Sequence, residues 1–453
     1  MKGISDHNER SSRRTFLKST GAATAGLALT GYAASTKNTV AADLRREALA
    51  LNGGPKTVTF PSERIAAATK WPRFGEEEKK AVWDVLDLSA GEVYRDLPVL
   101  EKEWREYHNV PYAKAHCNGT STLTSMFFAL DLPPGSEIMV PSYTFFATIL
   151  PMRFFEYVPI FIDLNPRTAC FDLEYAAKHL TKNTKAMVPM HSWGLPCDMD
   201  EICGFAEKHG LIVCEDAAHA HGACLQGKKM GAWGQIAIFS LQATKPLPAI
   251  EGGMGNYQTR EYYERAAAFG HYEDPPKFPE DSPYRRYEGT GFGQKYRIHP
   301  IAAALARKGL AVLDDRNAGV RKRIRALNDR ITQLPGLSEP HCRKDAERVY
   351  YANNMIFLDE ANAGITREKL LKALTAEGVS AGSGAYPEQH RFKIYSEEKW
   401  WHHKPVVPES LPGTEQVNRS CIYLPVFYED LPEVTDQYVK AFEKVWAHRD
   451  ELT

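Results

Sequence analysis

The chain has 453 residues, 43% of them hydrophobic and 25% charged, which is the balance of a folded protein with room for two globular parts. Its 56 lysines and arginines nearly match its 57 aspartates and glutamates, which argues against nucleic acid and anionic membranes as partners. The eight cysteines include no CxxC pair, so a zinc ribbon, a redox dithiol and a disulfide framework are all disfavoured.

The first 42 residues predict an export signal. The segment SRRTFLK, residues 12–18, precedes a weakly apolar run and then small residues around Ala41, which is the order of a signal peptide. Its paired arginines resemble a twin-arginine signal. The apolar run is too short and too rich in Ala, Thr and Gly to serve as a stable membrane anchor. We therefore expect a periplasmic protein; a short amphipathic helix of the mature chain is the alternative.

Residues 43–312 are predicted to form an N-terminal arm and a large domain. A helix with apolar residues from Leu123 to Leu130 is followed by short apolar strands: EIMVPSY, VPIFIDL, KAMVPMHSW, LIVCEDAA and IAIFSLQ. The segment DMDEICGFAEKHG, between the third and fourth of these, predicts a crossover helix ending in glycine. Strands that alternate with helices indicate an α/β fold with a mostly parallel sheet covered on both faces.

Residues 313–453 are predicted to form a smaller α+β domain. A charged helical pattern over 302–330 predicts one long connecting helix. Beyond it come the strand-like runs NNMIFLDE and CIYLPVF and the helical runs REKLLKALTAEGV and TDQYVKAFEKVW.

Three candidate groups fall where predicted strands end and where ligands of open α/β sheets bind. Asn118-Gly119-Thr120-Ser121 opens a helix, Asp216 ends LIVCED, and Lys245 follows IAIFSLQ. Taken singly, an N-cap, a turn residue and a solvated lysine are the commoner explanations. Together they supply what pyridoxal phosphate needs: a phosphate cradle, an amine for a Schiff base, and a carboxylate for the pyridine nitrogen.

Longer motifs carry a resemblance to a known family. EDAAHAHGACLQGKKMGAWGQIAIFSLQATKPLPAIEGG contains an aspartate, a Ser-x-x-x-x-Lys spacing and Glu-Gly-Gly in one order, and CNGTSTLTSMFFAL, VPSYTFFAT and FGQKYRIHP accompany it. The chain resembles the DegT/StrS family of sugar aminotransferases, most closely the branch of inosose aminotransferases and aminohydroxybenzoate synthases. The resemblance implies a pyridoxal-phosphate enzyme of fold type I, similar to aspartate aminotransferase, with a seven-stranded large domain and a homodimeric assembly.

The resemblance also implies a role for each matching residue. Lys245 would form the internal aldimine and move the proton between substrate carbon and cofactor, and Asp216 would pair with the ring nitrogen. His219 would face the phenolic oxygen and Phe145 would stack on the ring. The phosphate would be bound by Gly119, Thr120, Ser121 and Ser240, with Gln242 nearby.

Two positions depart from the family pattern. Lys295 stands where an asparagine is usual in the interface segment, and an ammonium in its place would still bind the cofactor phosphate. Ile250, before Glu251, is unusually bulky, so we expect an altered wall beside the lysine. His219, His221 and Cys224 match no common zinc spacing, and no metal site is predicted.

The predicted activity is transfer of an amino group from glutamate or glutamine to a ketone of a sugar or cyclitol, such as an inosose, in two half-reactions. A nucleotide-linked ketosugar is the alternative acceptor. Dehydratases on the same scaffold replace the lysine with histidine, so Lys245 argues against them. The remaining alternative, from another class, is a non-catalytic cofactor-binding or regulatory module.

Overall fold

The computed structural model describes residues 47–384 and 386–452. The predicted export signal, residues 1–42, lies outside these ranges, so twin-arginine export stays a prediction. Every helix within the described ranges is too short or too polar to cross a bilayer.

The strands are short, and most are apolar. In chain order they are β1 (Tyr112–His116), β2 (Glu137–Pro141), β3 (Val158–Ile162), β4 (Leu164–Asn165), β5 (Cys170–Phe171), β6 (Thr184–Met187), β7 (Ile212–Asp216), β8 (Cys224–Leu225), β9 (Lys228–Lys229), β10 (Ile236–Ser240), β11 (Gly253–Tyr257), β12 (Leu337–Ser338), β13 (Ala346–Glu347), β14 (Asn353–Leu358) and β15 (Cys421–Pro425).

The α-helices lie before, between and after these strands. They span Ser62–Thr69, Glu76–Leu86, Asp96–His108, Gly119–Leu130, Leu173–Lys178, Met199–His209, Arg260–Ala268, Pro300–Ala311, Leu313–Ile331, Glu360–Ala363, Arg367–Ala376, Pro412–Ser420 and Pro432–Ala447. The single helix predicted over 302–330 was wrong, because the chain forms two helices there. They meet at Val312, whose φ of −116° and ψ of 7° leave the helical region and interrupt the hydrogen-bond ladder.

Seven strands form the central sheet, in the order β1-β11-β10-β7-β6-β2-β3. The five from β10 to β3 in this order run parallel, whereas β11 pairs antiparallel with both β10 and β1. The prediction of a mostly parallel seven-stranded sheet is therefore confirmed. Because parallel strands end at one edge, the residues that follow β7 and β10 are brought together there.

Both faces of the sheet are buried, which explains why most residues of its parallel strands are apolar. Along β2, Ile138 and Val140 pack with the helix Gly119–Leu130, whereas Met139 faces the opposite layer with the helix Met199–His209. This alternation follows from the two-residue period of a strand. The predicted crossover helix lies in the second layer and ends at Gly210, which adopts a left-handed conformation.

A second, smaller core surrounds the antiparallel sheet β12-β14-β15. The helices Arg367–Ala376 and Pro432–Ala447 pack on it through Leu370 and Phe442. Leu49 and Val58 of the N-terminal arm belong to the same core. The arm therefore packs on the second part of the chain, far from it in sequence.

Candidate active site

A cavity of about 530 Å³ lies at the carboxyl ends of the parallel strands. Most of the predicted site residues line it, namely Gly119, Thr120, Phe145, Asp216, His219, Ser240, Gln242 and Lys245. Ser121 and Lys295 are not among its lining residues.

Asp216 ends β7 and is buried in the cavity wall. Its Oδ2 accepts a hydrogen bond from the Thr148 hydroxyl at 2.7 Å, and its Oδ1 accepts one from the N–H of Ala218 at 3.1 Å. Burial raises the pKa of the Asp216 carboxyl above its ordinary value, although both hydrogen bonds and the charge of Lys245 oppose this rise. A carboxylate in this position is stabilised by any ligand that brings a positive charge to it.

Lys245 lies in the turn after β10 and is partly buried. Its N–H donates to the carbonyl of Gln242 at 2.9 Å, and its own carbonyl accepts from the indole N–H of Trp71 at 3.1 Å. The side chain lines the cavity, where Nζ lies 4.3 Å from the centre of the Tyr351 ring. The backbone of the lysine is thus held on both sides while its amine is directed to the ligand space.

The start of the helix Gly119–Leu130 forms another wall of the cavity. The Asn118 side chain accepts the N–H of Ser121 at 2.8 Å, and the Ser121 hydroxyl donates to the Asn118 carbonyl at 2.7 Å. Ser121 therefore serves as part of the helix cap. The N–H groups of Gly119 and Thr120 have no partner within the helix, and with the helix dipole they favour an anion.

Gly119 allows the helix start to touch the end of β10. A Cβ at this position would lie 2.8 Å from Cβ of Ser240 and 3.1 Å from its hydroxyl oxygen. Only glycine therefore permits this approach, which places the Ser240 hydroxyl beside the free N–H groups.

His219 is buried under the ring of Tyr351, with ring centres 4.0 Å apart and planes at 21°. The geometry assigns Nδ1 as the acceptor of the Trp193 N–H at 3.4 Å, which leaves Nε2 as the donor of the neutral ring. Burial lowers the pKa of His219 well below its ordinary value, and the charge of Lys245 acts in the same direction. The ring is therefore neutral near pH 7.

The other predicted residues take more peripheral places. Phe145 is 50% exposed at the cavity rim, against Phe146. The side chain of Gln242 accepts the N–H of Thr244 at 2.8 Å and its hydroxyl at 2.6 Å, which shapes the lysine turn. Lys295 is exposed. The carbonyl of the next residue, Tyr296, accepts the N–H of Cys117, just before the helix Gly119–Leu130.

Sequence reasoning did not single out Thr148, Glu251, Tyr351 or Tyr386 as cavity residues. Thr148 ends the quoted run VPSYTFFAT, so a hydroxyl near Phe145 was the available signal. Burial raises the pKa of the Glu251 carboxyl, against the charge of Lys245. Tyr351 and Tyr386 come from the second part of the chain, where nothing in the sequence points to this cavity.

These residues fit pyridoxal phosphate. The free N–H groups and hydroxyls at the helix start suit its phosphate, the buried carboxylate of Asp216 suits a protonated ring nitrogen, and Lys245 supplies the amine. The fold and the site together define a pyridoxal-phosphate-dependent aminotransferase.

The chain belongs to the DegT/DnrJ/EryC1/StrS aminotransferase family, whose profile matches residues 72–443. The predictions of this family, of the enzyme class and of the cofactor are therefore confirmed.

Named relatives narrow the chemistry to sugar aminotransferases and their kin. The chain is 30% identical to GDP-perosamine synthase of Caulobacter vibrioides over 72% of this chain and 85% of that protein. It is 27% identical to a putative L-glutamine:3-amino-2,3-dideoxy-scyllo-inosose aminotransferase of Streptoalloteichus tenebrarius over 89% and 93% of the two chains. The crystal structure of 3-amino-5-hydroxybenzoic acid synthase superposes with a TM-score of 0.69 at 26% identity, covering 83% of this chain and 98% of the other.

Proposed function

We propose that this protein transfers an amino group from glutamate or glutamine to a ketone on a free cyclitol or sugar ring. One observation carries the proposal: Lys245, the buried Asp216 carboxylate and the open helix start at Gly119 face a single cavity. An inosose aminotransferase and an aminohydroxybenzoate synthase match the chain over 89% and 78% of its length, and two GDP-perosamine synthases match it over 72% and 79%, so the choice of a free acceptor rests on the charge of the cavity.

The roles proposed for the residues follow from their positions. Bound pyridoxal phosphate supplies a carbonyl that condenses with amines and a ring that accepts electrons. Gly119 and Thr120 hold the phosphate through their N–H groups, with the Ser240 hydroxyl beside them. Asp216 would hold a positive charge at the ring nitrogen, and Lys245 would supply the amine that condenses with the carbonyl, releasing water, and would move a proton beside the reacting carbon.

Two more residues orient the ring. His219, which is neutral, would donate from Nε2 to the phenolic oxygen, and Phe145 would cover one face of the ring from the cavity rim.

The charge of the cavity favours an acceptor without phosphates. Among the described residues that line it, Lys245 and the neutral His219 are the nitrogen bases, while Asp216 and Glu251 are carboxylates. A nucleotide-linked ketosugar carries two phosphates, which proteins bind with lysine and arginine. Export, if the N-terminal signal is used, gives independent support, because nucleotide-linked sugars are cytoplasmic. A periplasmic location is part of this proposal.

The test separates the two acceptor classes. Purified holoprotein is mixed with glutamine or glutamate, and the loss of the cofactor's absorbance band reports the donor half-reaction. Free inososes and nucleotide-linked ketosugars are then added separately, and recovery of the band is measured. We expect recovery with a free inosose only, and none with Lys245→Ala. Recovery with only the nucleotide-linked set would refute the proposed acceptor, and no bleaching with any amino donor would favour the non-catalytic module.

We also propose a homodimer in which Lys295 reaches the phosphate of the partner site. Lys295 is exposed and lies outside the cavity of its own chain. Its neighbour Tyr296 nevertheless accepts the N–H of Cys117, just before the helix Gly119–Leu130. Lys245→Ala and Lys295→Ala protomers, each impaired alone, are mixed and allowed to exchange. Shared sites predict recovery of about a quarter of wild-type activity, because half of the hybrids' sites are intact. No recovery in verified hybrids would show that Lys295 acts within its own chain or not at all.

A further inference from the structure

Tyr351 enters the cavity from the second part of the chain and touches the lysine site at several points. The centre of its ring lies 4.3 Å from Lys245 Nζ. The ring stacks on His219 with centres 4.0 Å apart, and its hydroxyl lies 3.0 Å from the hydroxyl of Thr244, next to the lysine. One side chain therefore contacts the amine, the neutral imidazole and the lysine turn.

The backbone beside Tyr351 is held in an unfavourable shape. Ala352 has a φ of +57°, a left-handed conformation that is disfavoured for residues with a Cβ. The N–H of Asn353 donates to the carbonyl of Tyr351 at 2.5 Å, which closes a tight turn just before β14. Strain of this kind persists only where the surroundings hold it, and it is concentrated at functional sites. The turn fixes where the ring enters the cavity.

The position of the Tyr351 ring matters because the Lys245 amine would be bonded to the cofactor during only part of the reaction. An amino donor would displace Lys245 in the first half-reaction, and the lysine would stay free until it displaces the aminated product at the end of the second. Over that interval its amine would need a defined place near the reacting carbon. An aromatic face attracts an ammonium at this distance. The Tyr351 face offers that place without a carboxylate, which would hold the ammonium more tightly.

We propose that Tyr351 is a positioning residue whose aromatic face holds the Lys245 amine whenever that amine is not bonded to the cofactor. The proposal deepens the function proposed above and rests on the role given there to Lys245. The contact between the hydroxyls of Tyr351 and Thr244 holds the ring beside the turn that carries Lys245. The stacking on His219 prevents the ring from rotating away.

The experiment follows the free lysine directly, in protein stripped of cofactor. Lys245 is labelled with trinitrobenzenesulfonate at a series of pH values, and labelling of its peptide is quantified by mass spectrometry. Removing the π face with Tyr351→Leu should lower the midpoint pH of labelling by about half a unit, because a lost cation–π contact favours the neutral amine. Tyr351→Phe keeps the face and should leave the midpoint unchanged.

Other groups that face Lys245 are the same in all variants and cancel in the comparison. They are Asp216, Glu251, His219 and His221. From the helix Leu313–Ile331, the Arg316 guanidinium donates to the carbonyl of Pro246, at 3.5 Å.

Tyr386→Leu is the matched control, since Tyr386 lines the same cavity and its ring packs on Tyr143, Trp193 and His219, whereas the ring recorded against Lys245 Nζ is that of Tyr351. It should leave the midpoint unchanged. If Tyr351→Leu does not fold, Tyr351→Trp takes its place, and its stronger π face should keep or raise the midpoint. An unshifted midpoint in Tyr351→Leu, an equal shift in Tyr351→Phe, or a fall in Tyr351→Trp would overturn the proposal. None of these outcomes depends on a substrate, so they are distinct from a failure of the proposed aminotransfer.

Discussion

Asp216 is a buried carboxylate that makes no ion pair with any described residue; its hydrogen bonds come from the neutral donors Thr148 and Ala218. A buried carboxylate of this kind can pair with a positive charge on a bound cofactor. In the cofactor-free protein it lowers the free energy of unfolding. Its raised pKa means that ionising it in the folded chain costs more than in the unfolded chain. Stability of the cofactor-free protein is therefore lost as pH rises from the ordinary aspartate range through the raised value.

Asp216→Asn should have opposite effects on activity and stability. We expect kcat to fall by about 10²- to 10³-fold, because the charge that stabilises the protonated ring is gone. The cofactor-free variant should be more stable than wild type at pH 7, and this advantage should shrink towards pH 4. Denaturant midpoints across this range measure the effect, with Asp84→Asn as control, since the Asp84 side chain is 47% exposed and pairs with Lys80 at the surface. Parallel pH profiles for wild type and Asp216→Asn would contradict the assigned burial cost.

Single residues show how far sequence reasoning reached. The positions of Asp216 and Lys245 at the cavity were predictable because Asp216 ends an apolar strand and Lys245 lies in the turn after another, and strand ends share one edge of the sheet. Thr148 was not predictable, because it is 68 positions from Asp216 in the sequence. Tyr351 was not predictable either, because it is 107 positions from Thr244. Contacts of that separation depend on how the layers dock, which no local pattern records.

At the scale of elements, the contact between the helix Gly119–Leu130 and β10 shapes the proposed phosphate site. Gly119→Ala places a Cβ 2.8 Å from Cβ of Ser240, and the helix start must move to relieve it. We expect a loss of about 1–3 kcal/mol in the free energy of unfolding, together with cofactor binding weakened by roughly 10-fold or more.

Fluorescence titration of the cofactor-free protein and denaturant unfolding measure these two changes. Gly204→Ala is the matched control, because Gly204 lies within the helix Met199–His209 and an added Cβ meets nothing within 4 Å. That variant should gain about 0.5–1 kcal/mol from its better helix propensity. Unchanged cofactor affinity in Gly119→Ala would argue against phosphate binding at the helix start.

Elements were easier to predict than their boundaries. Apolar runs identified five strands of the central sheet, because both faces are buried and each run is bounded by turn residues. The break at Val312 escaped prediction since no proline marks it and the apolar pattern continues on both sides. Only the packing of the two helices on different cores determines where the ladder stops.

At the scale of the whole molecule, a buried ion pair attaches the N-terminal arm. Glu377 and Lys444 are both 0% exposed, with Nζ 3.1 Å from the carboxylate. The same carboxylate accepts the N–H of Ala50 at 2.8 Å and the hydroxyl of Thr57 at 2.6 Å. Burial alone would raise the pKa of Glu377, but these hydrogen bonds and the ammonium outweigh it and hold the pKa below its ordinary value.

Glu377→Gln leaves the buried ammonium of Lys444 with Glu47 as its remaining carboxylate, at 4.0 Å, and should cost up to about 3–5 kcal/mol of unfolding free energy. Because the folded pKa is lowered, the wild-type contribution is present above about pH 4.3 and is lost as pH falls below it. The free energy of unfolding of the variant should therefore fall less steeply with decreasing pH than that of the wild type. Denaturant unfolding between pH 3 and 7 measures both effects, and the exposed Glu76→Gln, paired with Lys79, should change stability by less than about 1 kcal/mol. If the stability of Glu377→Gln falls with pH as steeply as that of the wild type, other carboxylates cause the acid dependence.

The sequence by itself determined the α/β architecture, the family, the cofactor and the placing of Lys245 and Asp216 at one edge of the sheet, because these depend on periodicity and on motifs that follow one another along a strand or turn. Tertiary structure alone decided that Thr148 supports Asp216, that the arm packs on the second core, and that Tyr351 faces the lysine amine. These contacts join residues far apart in the chain, and their geometry is set by how the layers and the two cores pack together.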